Sequence, residues 1–469
     1  MAKDEKKQQN EAVATLHDNT ISPRDKRRAR GQVLREAVPF QKHADWSIHP
    51  DRPNIVDVLQ QAEEGRIQEL VPIRYGRMMK TPFTFFRGGA DIMAYDLSHT
   101  PNIKTFVQVC GDAHALNFGA FATPERNVVF DINDFDETLP GPWEWDVKRL
   151  AVSLMLIARD NGLKVKAGMD AVKACVESYR QRMQEYSKMA IIDIWYAKVE
   201  WEHIIQTSQS STLGKSLKDD LKKAKKKSIQ YHYFPKLTEA RDGKFHIKDA
   251  PPLIYHPNDK GKFSNMIMEG LKLYRNSLQE DKQRLFDRYR IEDVAIKVVG
   301  IGSVGTTCAV ALALAPDDEP LFFQIKEARA SVLEKYVGKS SYDTHGQRVV
   351  AGQRIIQSAS DIFLGWMVPE NGKHFYVRQL RDTKVKLTPE TWEDKHLEEM
   401  SKVIGAALAR AHARSGDSTV IASYLGDTDE FATAIANFAT VYSDQVEKDH
   451  AALIAAIGSG KLKAQELEE

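Results

Sequence analysis

A chain of 469 residues is long enough for two or three domain-sized units, and a hydrophobic content of 42% supplies a substantial core. With 66 basic and 65 acidic residues the net charge is +1, which excludes a chain-wide pull toward nucleic acid or an anionic membrane. The three cysteines, Cys110, Cys175 and Cys308, are too far apart for a disulfide framework, and no apolar run reaches the roughly 18 residues of a membrane span.

Residues 1–45 are polar and charged, with SPRDKRRARG at Ser22–Gly31, and are expected to form a flexible, solvated tail. Their opening, MAKDEKKQQNEAVATLHDNT, has no apolar core of a signal peptide, so a cytoplasmic protein is expected. Residues 46–290 read as a large unit. Phe106–Val109 (FVQV) and Asn127–Phe130 (NVVF) read as strands. DVKRLAVSLMLIARDNG places Val147, Leu150, Leu154 and Ile157 at helical spacing until Asn161-Gly162 stops the helix. Within this unit residues 206–262 are polar and carry the lysine run Lys222–Lys227, read as a helical hairpin or mobile insertion with a solvated face. DAPPLIYHP (Asp249–Pro257) reads as a rigid loop, because each proline fixes its own backbone and restricts its predecessor. Residues 291–387 form a second apolar unit, and 388–469 are helical, with WEDKHLEEMSKVIGAALARAHARSGD stopping at Gly416.

The chemistry concentrates in VCGDAHALNFG (Val109–Gly119) and the following FDINDFDE. Gly111 and Gly119 permit tight backbone around Asp112, His114 and Asn117, at the mouths of two buried strands. An Asp, an Asn five residues on and a further Asp beyond the next strand form the layout of phosphoryl-transfer sites. The first Asp orients the acceptor hydroxyl; the Asn and the later Asp supply hard oxygen ligands for Mg²⁺. These positions are Asp112, Asn117 and one of Asp131, Asp134 or Asp136, with Asp134 favoured and Asp131 kept in the metal set. Arg87, after aromatics in FFRGG, either clamps an anion in this site or pairs structurally with the acidic cluster, and Arg74 and Arg77 flank the same block.

Gly300, Gly302, Ser303 and Gly305 lie in GIGSVG, and Lys326 in FFQIK. Two geometries compete for this segment. A strand, G-x-G-x-x-G and an Ala-rich helix make a dinucleotide fold, with Glu327 on a ribose hydroxyl. A glycine hairpin instead lets backbone amides approach phosphates, with the strand lysine beside them. Cys308, Val310, Leu312 and Leu314 alternate with alanines at strand period, and PDDEP is turn chemistry, so the hairpin is preferred.

CGDAHALNFG…FDINDFDETLPGPWEWDVKRLAVS, with IRYGRMMKTPFTFFRGG and VVAGQRIIQSASDIFLGW, resembles the bacterial family called domain of unknown function 2252, over roughly Val33–Leu425. The same motif is similar to the catalytic core of aminoglycoside and choline kinases. That likeness implies a catalytic Asp112 accompanied by His114, metal ligands Asn117 and Asp134, and Asp146 as the helix residue that braces the loop. Cys110 stands where those kinases carry His. In kinases the glycine loop and lysine precede the catalytic loop, whereas here they follow it, and ALARAHARSG resembles the helix that normally comes before it. The resemblance implies an α+β, two-lobed, circularly permuted kinase-like fold using ATP and Mg²⁺ on an unknown small-molecule or protein acceptor. Kinases pair this lysine with an acid on the following helix, and Glu334 is the nearest such acid here. Nucleotidyl transfer on the same fold, or a nucleotide-binding pseudoenzyme, are the alternatives.

Overall fold

β1 (Phe106–Val109), β2 (Phe118–Ala122), β3 (Val128–Ile132) and β4 (Leu139–Pro142) surround the polar cluster, with β1 antiparallel to β4 and β2 to β3. The computed structural model describes residues 22–208, 212–226, 233–380 and 383–467. The chain then adds a hairpin of β5 (Thr238–Arg241) and β6 (Lys244–Ile247). A six-stranded antiparallel sheet follows from β7 (Ile254–Tyr255), β8 (Arg290–Lys297), β9 (Cys308–Leu314), β10 (Pro320–Glu327), β11 (Gly365–Met367) and β12 (Phe375–Gln379). Its order is β11-β12-β10-β9-β8-β7. The fold is α+β, richer in helix than in strand.

The sheet is buried on both faces, and its small residues explain how. Along β9, Ala309, Ala311 and Ala313 share a core with Ile267, Leu271 and Tyr274 of the Lys262–Arg275 helix. Val310, Leu312 and Leu314 point the other way, into a core with Ile247, Phe322 and Leu380. Period-2 alternation of small and large apolar residues thus lets a helix lie on one face and a hairpin on the other.

The larger core is helical. The Asp394–Ser415 helix packs along Val165–Tyr186, so closely that a Cβ on Gly405 would lie 2.1 Å from the Cys175 carbonyl oxygen. Trp143–Asp160 and Glu430–Gly458 complete this layer, and the Trp143–Asp160 helix is buried along nearly its whole length.

Two expectations are corrected. Residues 22–45 are not a solvated tail: Arg24–Ala37 is a helix packed on Ser418–Leu425, while residues 1–21 lie outside the described residues. Its charges serve the contact, since Arg27 pairs with Asp417 at 3.0 Å and Arg35 donates to the carbonyls of Tyr424 and Ser423. Asp249–Pro257 is not wholly loop, because Ile254–Tyr255 joins the sheet edge against β8. Of the lysine run, Lys222 and Lys223 pair with Asp219 and Asp220 on the Thr212–Lys226 helix, and Lys227 lies outside the described residues. Among the described residues, no helix is long and apolar enough to cross a membrane.

Candidate active site

The loop after β1 is held by a carboxylate from a helix start. Asp146, in the first turn of Trp143–Asp160, accepts from the amides of Cys110 at 2.7 Å and Gly111 at 3.0 Å. His412 Nε2 lies 3.3 Å from the same carboxylate, and its Nδ1 lies 2.9 Å from the Tyr179 hydroxyl. The Asp394–Ser415 helix therefore reaches this loop from the far end of the chain, and Ser415 Oγ also accepts from the Gln108 amide of β1 at 3.0 Å. Gly111 has φ +81°, and a Cβ there would lie 2.4 Å from the Glu137 carbonyl oxygen, so neither a side chain nor ordinary backbone fits.

This brace presents Asp112 with one oxygen occupied. Arg149 donates to Asp112 Oδ1 from Nη2 at 2.6 Å and Nε at 2.7 Å, while Oδ2 lies 3.9 Å from His114 Nε2. The Arg149 guanidinium also lies over Phe86, 4.2 Å from the ring centre. His114 is buried, and burial first, then Arg87 and Arg149, pull its imidazole well below the usual range, so the ring is neutral at pH 7. Asn117 donates from Nδ2 to the Asp112 carbonyl at 2.6 Å, which leaves Oδ1 as the atom this amide could offer as an acceptor or ligand.

The second acidic stretch meets the sheet. Lys326, on β10, donates to Asp136 at 2.7 Å and to Asp134 at 3.4 Å. Asp136 also accepts from the Tyr376 hydroxyl at 2.8 Å and from Ser303 Oγ at 3.1 Å. Burial raises the Asp134 carboxyl, and the neighbouring Asp136 charge raises it further. Burial pushes Asp136 the same way, but Lys326 and Tyr376 outweigh it and hold this carboxyl below its ordinary range. One strongly ionised and one reluctant carboxylate thus share a single ammonium.

Asp131 is not with them. It is fully buried in β3, accepting from Arg410 at 2.6 Å and from the Ser358 amide and hydroxyl at 2.9 and 3.0 Å. The metal expectation for Asp131 is corrected on this ground: both its oxygens are spent on a structural pair. Glu334 is likewise not the partner of Lys326, lying 3.9 Å from Arg348 and from His345.

Gly300, Gly302, Ser303 and Gly305 form a turn joining β8 to β9. Since Cys308–Leu314 is a strand and not a helix, the strand–glycine–helix geometry of a dinucleotide site is not formed here. Glu327, its ribose candidate, is held by Lys373 at 3.0 Å and by the Thr307 amide at 2.9 Å. The turn is pinned from outside: Arg66 donates to the carbonyls of Gly302 and Val304, the Ile67 amide to Gly305, and Arg77 to Val299.

Two cavities adjoin at this turn, and Arg87, Gly300 and Ile301 line both. The larger, about 810 Å³, carries Arg77, Lys80, Arg126, Lys297, Arg378, Lys384 and Lys386 against Asp361 and Glu390. The smaller, about 340 Å³, gathers Asp112, His114, Asn117, Asp134, Asp136, Gly302 and Ser303. Arg66, Arg74, Asp91, Glu137 and Arg329 also line it. Sequence reading missed Arg66, Arg149 and Arg329 as site residues, because they reach the site only through the fold. The arrangement puts a fixed carboxylate and oxygen ligands beside a glycine turn, with a strongly basic cavity on its other side.

One family matches the chain, over residues 66–456, described as an uncharacterized protein conserved in bacteria (DUF2252). No curated protein and no solved structure matches.

Proposed function

The chain belongs to the DUF2252 family, and we propose that it is an ATP- and Mg²⁺-dependent phosphotransferase with a circularly permuted, kinase-like fold. The observation that carries this reading is the meeting of two cavities at one glycine turn, with Asp112, Asn117, Asp134 and Asp136 on the side away from the basic one. Phosphoryl transfer is mostly positioning and charge neutralisation, and those are the properties these residues offer. The antiparallel β8–glycine turn–β9 hairpin, the lysine on β10 and the helix carrying His412 against β1 supply further support.

The larger cavity has the size of a small-molecule site, on the order of 300–1,000 Å³, and its cations suit a polyphosphate. The donor set also fits Mg²⁺. Asn117, Asp134 and Asp136 offer only oxygen, and Mg²⁺ is typically held by one or two carboxylates plus substrate phosphates, not by an all-protein cage. Among the described residues, no group of three His, Cys, Asp or Glu side chains converges as such a cage. When bound, Mg²⁺ neutralises phosphate charge. Asp112 accepts the proton of an acceptor hydroxyl and orients it, with Arg149 fixing the other carboxylate oxygen. Lys326 exchanges its hold on Asp134 and Asp136 for the nucleotide phosphates.

The test is titration of the protein with Mg-ATP by calorimetry, then incubation with ATP labelled at the α- or γ-phosphate and a metabolite extract. Binding of Mg-ATP, movement of the γ label, and loss of movement with retained binding in Asp112→Asn are expected. Binding of NADH in place of ATP refutes the reading, and movement of the α label replaces it with nucleotidyl transfer.

A further inference from the structure

The proposed reaction accounts for the carboxylates of the smaller cavity but not for its arginines. Every acidic side chain assigned to chemistry there already faces a cation: Asp112 holds Arg149, and Asp134 and Asp136 hold Lys326. The same cavity is also lined by Arg66, Arg74 and Arg329. Their hydrogen bonds go to backbone carbonyls: Arg66 to Ala62, Gly302 and Val304, Arg74 to Gly88, and Arg329 to Glu64. Among the described residues none of the three makes an ion pair within 4.0 Å.

Three further features bear on the balance of this charge. Nε and Nη1 of Arg74, a side chain only 2% exposed, are buried with no hydrogen-bond partner. Arg66 is pulled down to about 9, by burial first and then by the charges of Arg74 and Arg329. Asp91 and Glu137 are the acids that favour the charged form of Arg66, and burial raises both carboxyls above the ordinary range. Of the three only Arg74 is buried, and a buried cation without a paired anion is costly unless a ligand completes it.

We propose that Arg66, Arg74 and Arg329 form an anion subsite that holds an oxyanion group of the acceptor, so that its hydroxyl lies against Asp112. This rests on the phosphotransferase reading and names the substrate class within it: an acceptor carrying both a hydroxyl and a phosphate or carboxylate. The smaller cavity, about 340 Å³, has room for a compact metabolite of that kind. Arg87, which lines both cavities, lies between the acceptor's anion and the nucleotide's phosphates.

The oxyanion could come instead from the nucleotide itself, and the experiment separates the two sources. Inorganic phosphate is titrated into the full chain by calorimetry, alone and with Mg-AMP-PNP saturating. Phosphate binding that persists beside the nucleotide analogue is expected. Arg329→Gln, on a partly exposed side chain, and Arg74→Gln should each weaken phosphate at least tenfold and leave AMP-PNP affinity within twofold. Strict competition between phosphate and AMP-PNP overturns the proposal, as does unchanged phosphate affinity in folded Arg329→Gln. If AMP-PNP fails to bind at all, the phosphotransferase reading falls, and the phosphate titration of the arginine variants still decides the subsite.

Discussion

Lys326 Nζ lies 2.7 Å from Asp136 and 3.4 Å from Asp134, so the cation expected on nucleotide phosphates bridges the two carboxylates nearest the glycine turn. Removing it leaves two neighbouring carboxylates with their main counter-charge gone. Breaking a fully buried pair costs about 3–5 kcal/mol. Here the carboxylate side chains are 36% and 30% exposed, and water offsets part of that, so Lys326→Met should cost about 2 kcal/mol. Mg²⁺ can replace the lost charge. Thermal melts with and without Mg²⁺ should show the variant gaining more from the ion than the wild type does. An equal gain removes Asp134 and Asp136 from the metal set.

Asp146 joins the two ends of the chain. It receives two loop amides and faces His412, all of them buried. Asp146→Asn keeps one acceptor oxygen and loses the charge, leaving a buried amide unpaired at about 1–3 kcal/mol. Urea denaturation should show that loss. Because the loop carries Asp112, phosphoryl transfer should fall by a larger factor than Mg-ATP affinity. Equal falls in both make Asp146 a stability residue with no positioning role.

Asp131 and Asp134 test the separation of a structural carboxylate from the proposed metal ligand. Asp131→Asn breaks a pair with Arg410 in which both side chains are 0% exposed, so about 3–5 kcal/mol of stability should be lost. Where the variant still folds, its Mg²⁺ response should match the wild type. Asp134→Asn should do the reverse, melting near wild type while Mg²⁺-dependent nucleotide binding weakens. Calorimetry with Mg-ATP on both variants decides the assignment, and a metal defect in Asp131→Asn alone overturns it.

A buried pair away from the site sets part of the pH dependence. Lys148, beside the Phe438 ring, is pulled down from 10.5 to about 7 by burial, against the opposing charge of Glu144. Glu144 is itself pushed up to about 7 by burial, and His43 also feels the lysine. Between pH 7 and 10.5 the unfolded chain holds a proton on Lys148 that the folded chain has released. Stability from this group therefore rises with pH across that window and is at its lowest below it. Lys148→Met removes the titration and keeps the packing, so the variant should be more stable than wild type at pH 7, by at least about 1 kcal/mol. That advantage should shrink toward pH 10, because the unfolded wild-type chain then also releases the Lys148 proton and the cost of burying the group disappears. Denaturant titrations at several pH values check this, and a constant difference contradicts it.

Local sequence was informative wherever one period or one turn decides the structure. The alternation of Cys308–Leu314 and the PDDEP turn marked β9 and β10, against the helix that an Ala-rich run after G-x-G-x-x-G suggests. The polar cluster at Asp112–Asn117 was legible because strand ends and glycines bracket it within one short span. Within FDINDFDE the same reasoning failed at Asp131. Its neighbours in sequence are metal candidates, but its direction is set by β3, which turns it to Arg410 of the Asp394–Ser415 helix. Arg24–Ala37 was read as a tail because its own composition is polar. Its docking comes from Ser418–Leu425, nearly the whole chain away, and only Gly31 of the helix is buried there.

What the sequence determined by itself was the local vocabulary: strands by alternation, helices by apolar spacing, a glycine turn, a run of acids and the family. What only the tertiary structure decided was which charges face one another. Lys326 meets Asp136, His412 meets Asp146, and Arg66, Arg74 and Arg329 line one cavity with Asp112. Such encounters join segments far apart in the chain. Electrostatic and hydrogen-bond energies depend on separations of a few ångströms, which no local spacing specifies.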